Sequence, residues 1–410
     1  MTTNNRKKPE KNGFTRRSLL KASALGAVAG FTGTARAQRP SVAVVGAGAF
    51  GGWTALELLR RGARVTLVDA WGPGNSRASS GGETRVIRGT YGDEEIYVRM
   101  VARALTLWQE NEKKWNRRLF RRRGVLWLVG DEDDLEKSSL PLLREVGIPF
   151  EELGTDELEK RYPQIDFEGV RWGIYEPDSG YLTARAACGV VLEGFLAEGG
   201  EFRQATVAPG SIRSGKMNAL SLSDGSSYSA DRYVFACGPW LGRLFPDVIG
   251  DRIRPTRQEV FYFGTPTGDL RYSEGHVPVW IDNGERLYYG IPGSDRRGFK
   301  VADDSRGPLF DPTSGERTPS PESLEAARNY VTFRFPGMKD APLLESRVCT
   351  YENTIDQDFI VDRHPNADNA WLVGGGSGHG FKHGPAMGEL VAEQVLGTRK
   401  PEPKFRLSRL

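Results

Sequence analysis

The sequence predicts an α/β protein of two lobes, one built on a parallel nucleotide-binding sheet and one on a mixed, largely antiparallel sheet. Three observations carry this prediction. Residues 41–69 run strand, glycine turn, helix, strand and acid. Residues 370–396 repeat a strand, a glycine-rich turn and a helix. Between them, residues 254–301 alternate apolar and polar side chains as antiparallel strands do. A chain of 410 residues has room for two such units.

The first 37 residues read as an export signal. TRRSLLK at 15–21 resembles the twin-arginine motif, a moderately apolar stretch follows at 22–31, and Ala35-Arg36-Ala37 fits a small-residue cleavage site. The expected partner is the twin-arginine export machinery, which carries folded proteins, so the mature chain is expected to be periplasmic or otherwise extracytoplasmic. The apolar run is too short for a permanent membrane span, and no other stretch approaches that length. The segment also explains the charge. It holds eight basic residues against Glu10, so a chain of net +3 is −4 beyond it. The basic balance therefore gives no basis for nucleic-acid binding. Three cysteines, Cys188, Cys237 and Cys349, make no disulfide framework, and four histidines make no convincing metal cluster.

Residues 41–45, SVAVV, form a short β-branched run suited to a buried parallel strand. Gly46, Gly48 and Gly51 follow as G-x-G-x-x-G. Gly46 permits the tight turn, Gly48 lets a pyrophosphate approach the backbone, and Gly51 lets helix and strand pack closely. A helix from Trp53 to Arg61 ends at Gly62, and the strand from Arg64 to Val68 closes on Asp69. An acid there, 23 residues after Gly46, is placed for ribose hydroxyls. The whole unit is Rossmann-like. It leaves FAD and NAD open as ligands, while Asp69 would repel the extra phosphate of NADP.

The small-residue loop 72–82 is positioned to fold over the dinucleotide, with Thr84 and Arg85 towards its phosphates or ring. A helix is expected at 94–115, a strand at 124–129, and helix, loop, helix at 135–161. Thr183 is the expected N-cap of a helix to about Ala197. Residues 202–228 read as β-rich, and 232–240 as a strand entering a glycine turn that returns the chain to the nucleotide sheet. After the alternating section, Ser320 followed by Pro321 marks a helix start. The last turn, 374–380, feeds a helix over about 385–396 whose dipole faces an anionic group on a bound ring.

TRVIR at 84–88, LYYG at 287–290, Cys-x-Tyr at 349–351, DFIVDRHP at 358–365 and GSGHGFKHG at 376–384 follow the opening unit in that order. Together they resemble the monomeric sarcosine oxidase and N-methyltryptophan oxidase family of FAD-dependent amine oxidoreductases, over roughly residues 40–397. The resemblance implies an FAD attached through the sulfur of Cys349. It implies that Arg88 and Lys382 hold a substrate carboxylate, that Tyr289 and Tyr351 border the substrate, and that Lys300 lies beside the flavin where oxygen reacts. It also places Gly378, His379 and Gly380 at the flavin. Two positions depart from the family pattern. Asp304 stands where sarcosine oxidases have a histidine, and His383 where the family has an aromatic.

The expected fold is thus a Rossmann-like FAD-binding domain, discontinuous over 40–95, 155–245 and 345–400, with a substrate domain over 96–154 and 246–344. The expected activity is oxidation of the C–N bond of a secondary amine or N-methyl amino acid, with oxygen reduced to hydrogen peroxide. One alternative is an amino- or imino-acid dehydrogenase that uses another electron acceptor. Another is a flavin- or ligand-binding protein without catalysis, kept open by Asp304. A nicotinamide-dependent dehydrogenase would explain the first motif but not the C-terminal ones. No metal is expected.

Overall fold

Ser41–Val45 becomes the centre of a six-stranded sheet because its side chains are apolar on both faces. The computed structural model describes residues 39–293 and 297–410; the export-signal expectation, on residues 1–37, lies outside them. In space the sheet runs Ile360–His364, Ala367–Gly374, Arg232–Phe235, Ser41–Val45, Arg64–Asp69, Glu201–Gln204. All neighbours are parallel except the antiparallel edge pair Ile360–His364 and Ala367–Gly374. Val42 and Val44 bury against the helices Ala49–Arg60 and Gly384–Leu396, while Ala43 and Val45 face Phe235, Phe245 and Leu220 on the other side. Cover on both faces is what a continuous apolar parallel strand requires.

The second sheet has eight strands. They lie in the order Leu343–Asn353, Arg254–Phe263, Phe299–Asp303, Leu287–Ile291, Val279–Asn283, Val125–Val129, Trp172–Glu176, Glu151–Gly154. Its neighbours are antiparallel except Val279–Asn283 with Val125–Val129. The helix Pro321–Arg334 packs Ala327 and Val331 against this sheet beside Trp280 and Phe299. A small sheet, Arg85–Ile87, Gly180–Leu182 and Phe120–Arg122, carries the TRVIR segment. Among the described residues no helix is long and apolar enough to cross a membrane.

Several expectations shift. The glycine-turn helix starts at Ala49 rather than Trp53 and so contains Gly51. The Ser320 cap forms, its hydroxyl accepting from Ser323 N at 3.1 Å. Thr183 stands at the N-cap position of the helix Ala184–Ala197, but its hydroxyl makes no capping bond and donates to the Leu119 carbonyl at 3.2 Å. Strands Glu151–Gly154 and Trp172–Glu176 occupy segments read as loop or left unassigned, and they join the eight-stranded sheet. Leu343–Asn353 likewise pairs in that sheet along its whole length, past the boundary at 345. Sheet membership depends on a distant partner strand, which local patterning does not identify.

The helices Ala49–Arg60 and Gly384–Leu396 pack closely through glycine. A Cβ at Gly388 would sit 2.7 Å from the Trp53 carbonyl oxygen, and one at Gly384 2.6 Å from the Trp53 ring. Gly388→Ala should therefore cost about 1–3 kcal/mol, as overpacking does. Gly189, inside the helix Ala184–Ala197, has no atom within 4 Å of its Cβ position. Gly189→Ala should be neutral or stabilising by up to about 1 kcal/mol. Urea midpoints of the two variants check both; equal shifts would contradict the packing argument.

Candidate functional site

The glycine turn has the geometry of a nucleotide cradle. Gly46 adopts φ +105°, and a Cβ there would lie 2.2 Å from the Ala236 carbonyl oxygen. A Cβ at Gly51 would lie 1.8 Å from the Gly46 carbonyl oxygen. Gly48 differs: only Ser80 Oγ comes near, at 3.3 Å, and the backbone opens onto a cavity of about 300 Å³. The helix that follows has no side-chain cap and no acid in its first turn, so its free N–H groups and dipole suit an anion.

Asp69 lines the same cavity. Its carboxylate accepts from Ala47 N at 2.8 Å, Trp71 N at 2.8 Å and Gly72 N at 2.7 Å. Burial raises its pKa, and those three bonds oppose the shift. A carboxylate has about four acceptor positions, so Asp69 keeps capacity for a hydroxyl. Ser79 Oγ and Glu352 Oε2, on residues of the cavity wall, are buried without a hydrogen-bond partner. Cradle, helix terminus, acid and unpaired groups fit a bound FAD.

A second cluster lies where the eight-stranded sheet meets the TRVIR segment. Lys300 is 2% exposed, with Nζ 3.4 Å from the Thr84 carbonyl and 4.9 Å from the Tyr289 ring centroid. Burial, then the charge of Arg85, lowers its pKa to about 7. Arg85 donates to the carbonyls of Thr84 at 2.8 Å and Ser79 at 2.5 Å, and it lines the cavity. Cys349 and Tyr289 pack together against Val260, Tyr262 and Ala302.

Arg88 and Lys382 share one aromatic ring. The Arg88 guanidinium lies 4.0 Å from the Tyr91 centroid and donates to the Thr90 carbonyl; Lys382 Nζ lies 5.1 Å from the same centroid. Lys382 donates to Tyr91 Oη at 2.7 Å and to the His379 carbonyl at 2.9 Å. Burial, and then Arg88, hold its pKa well below the ordinary lysine value. Among the described residues no acid forms an ion pair with Arg88, Lys300 or Lys382. Asp304 instead accepts from Tyr351 Oη at 2.7 Å and pairs with Arg306 at 3.4 Å. Its own pKa is raised, chiefly by burial.

Two parts of this arrangement carry no sequence signal. Glu176, fully buried, accepts from Gly89 N, Thr90 N and the Thr90 hydroxyl, and so fixes the turn that presents Arg88. Tyr91 joins the cations to His383 Nε2 at 2.9 Å and His379 Nδ1 at 3.2 Å. His379 stands beside the cavity between two residues that line it. Its ring stacks on Phe359 at 4.7 Å and its Nε2 meets the Gln357 carbonyl at 3.0 Å, whereas Gly378 and Gly380 line the cavity. Thr84 and Cys349 also stand outside that lining, on the Lys300 side.

The family model described as FAD dependent oxidoreductase matches residues 41–394. The chain is 31% identical over 376 residues to the monomeric sarcosine oxidase of Bacillus sp. (strain B-0618), covering 88% of this chain and 93% of that protein. It is 30% identical over 377 residues to the N-methyl-L-tryptophan oxidase of Salmonella agona (strain SL483), covering 89% and 98%. Among solved structures, the L-proline dehydrogenase of P. horikoshii superposes with a TM-score of 0.79 at 21% identity, covering 90% and 97%. The Aspergillus fumigatus fructosamine oxidase Amadoriase II superposes at 0.75 with 23% identity, covering 90% and 89%. These two likenesses concern the fold.

Lys300 makes stability depend on pH. Its folded pKa of about 7 lies below the unfolded value of about 10.4, so between them the unfolded chain holds a proton that the folded one lacks. The lysine's contribution therefore improves as pH rises through this window and is lost as pH falls through 7. Lys300→Met should raise the melting temperature most near pH 6, with the gain shrinking towards pH 10. A difference independent of pH, in paired thermal melts, would contradict the burial of an unpaired ammonium.

Proposed function

The chain belongs to the FAD-dependent oxidoreductase family, and from that premise we propose that it is an exported oxidase of a secondary amine or N-methyl amino acid. It is an enzyme of the sarcosine-oxidase and amino-acid-oxidase type, acting on CH–NH donors. The observation that carries the finer reading is the pair of buried cations around Tyr91. Arg88 and Lys382 have no acid partner, and leaving two such charges unpaired is costly. A substrate carboxylate supplies what both lack. Arginine grips two oxygens, and lysine adds a point charge that the carboxylate would help to keep protonated.

With its carboxylate held there, the substrate carries its amine towards Tyr289 and Tyr351, and the neutral amine is the reactive form. Bound FAD supplies the acceptor for a hydride equivalent from the carbon next to nitrogen. Water then hydrolyses the resulting imine. Lys300 places a positive charge where negative charge develops on oxygen as it is reduced to hydrogen peroxide. Cys349, on the Lys300 side, is the proposed point of covalent attachment of the flavin. Asp304 makes the amine side of the pocket acidic, which moves preference away from sarcosine itself.

The first experiment is acid precipitation of the purified mature protein. Flavin should stay in the pellet and pass to the supernatant in Cys349→Ser; yellow supernatant from the unsubstituted protein would overturn the covalent link. Anaerobic addition of N-methyl amino acids should bleach the flavin, and air should restore it with one peroxide per turnover. Bleaching that only an added dye reverses would favour the dehydrogenase reading.

Export rests on the TRRSLLK segment, and passage as a folded protein suits an enzyme that binds its cofactor before crossing. Replacing Arg16 and Arg17 by lysine should leave active enzyme in the cytoplasmic fraction. An unchanged periplasmic fraction would remove the twin-arginine route.

A further inference from the structure

Glu352 is a buried acid that the proposed reaction does not use. It occupies the strand Leu343–Asn353 and is 7% exposed. Its Oε1 accepts from Gly376 N at 3.2 Å, while its Oε2 has no partner. Among the described residues it forms no ion pair. Two glycines make room for the carboxyl: a Cβ at Gly238 would lie 2.7 Å from Oε2, and one at Gly376 2.8 Å from Oε1. Buried polar atoms are rarely left unpaired, because the unmade bond costs the full desolvation of the group. This one lies on the wall of the nucleotide cavity.

We propose that Glu352 is a positioning residue for the cofactor, its carboxyl hydrogen-bonding a hydroxyl of the FAD ribityl chain. Three observations choose that group. Glu352 shares the cavity wall with Tyr351, whose hydroxyl reaches Asp304 in the substrate cluster, so this stretch of wall stands where the cavity meets the chemistry. The flavin ring must lie at that end for Lys300 and Tyr289 to act on it, and the polyol chain is the part that adjoins the ring. Asp69 lines the cavity at the end of the second strand, beside the glycine turn, and suits the ribose of the adenosine half. A phosphate would repel a carboxylate. A hydroxyl suits it in either state, donating to the carboxylate or accepting from the acid, and burial pushes the Glu352 pKa up to about 7.

The inference rests on the reading of the site as an FAD oxidase, and the test separates the two. Binding is measured by quenching of flavin fluorescence in a flavin-free Cys349→Ser background, where no covalent link interferes. Failure of that background to bind FAD would sink the site reading itself. Given binding, Glu352→Leu should weaken FAD about tenfold and Glu352→Gln by less than about threefold, while ADP, which lacks the ribityl chain and is read by its displacement of FAD, should bind equally to all. Equal loss of FAD and ADP would move the contact to the adenosine half; no loss of either would remove it. Should Glu352→Leu fail to fold, FAD analogues lacking single ribityl hydroxyls answer on the unsubstituted carboxyl. One of them should bind about tenfold more weakly than FAD, and a flat series would overturn the assignment.

Discussion

The structure depends on a backbone contact that only glycine permits. The first strand, the helix after it and the strand Arg232–Phe235 meet at Gly46, Gly51 and Ala236, where side chains would stand 1.8 and 2.2 Å from carbonyl oxygens. That approach lets the turn end tightly and leaves Gly48 open to the cavity. The same economy recurs behind it, where Gly384 and Gly388 let the last helix lie on Trp53. The C-terminal glycine turn is thereby brought opposite the first one. Residues more than three hundred positions apart in the chain share one cavity wall.

On this frame the protein holds three basic groups that no acid pairs. Lys300, Lys382 and Arg88 are packed among aromatic rings and carbonyl groups, without carboxylate partners. Burial lowers both lysine pKa values. Such an arrangement costs stability in the free protein, and anionic ligands or developing negative charge recover it. Of the nearby acids, Asp304 is engaged by Tyr351 and Arg306, and Glu176 by the Gly89–Thr90 turn. On the proposed reading, these unpaired basic groups form a binding device rather than a structural one.

Much of this is legible locally. The turn at Gly46, the Ser320 cap and the central position of Ser41–Val45 follow from side-chain size, a hydroxyl at the right position and a β-branched run. The ordered motifs from TRVIR to GSGHGFKHG led to the family. Thr183 shows the limit: it has a capping residue's chemistry and position, yet the carbonyl of Leu119, 64 residues earlier, takes its hydroxyl. The ring of His379, stacked on Phe359, is likewise set by a neighbour that the motif does not name.

By itself the sequence determined the dinucleotide-binding unit, the two-sheet plan and the motifs that mark the family, because each rests on residues close together in the chain. Only the tertiary structure decided which charges lack partners, which turn Glu176 holds and which oxygen of Glu352 is left free. Those properties are set by burial and by neighbours brought from far away, as Lys300 meets the carbonyl of Thr84 across 216 positions. Desolvation and pairing are properties of a place in space, and no window of sequence contains that place.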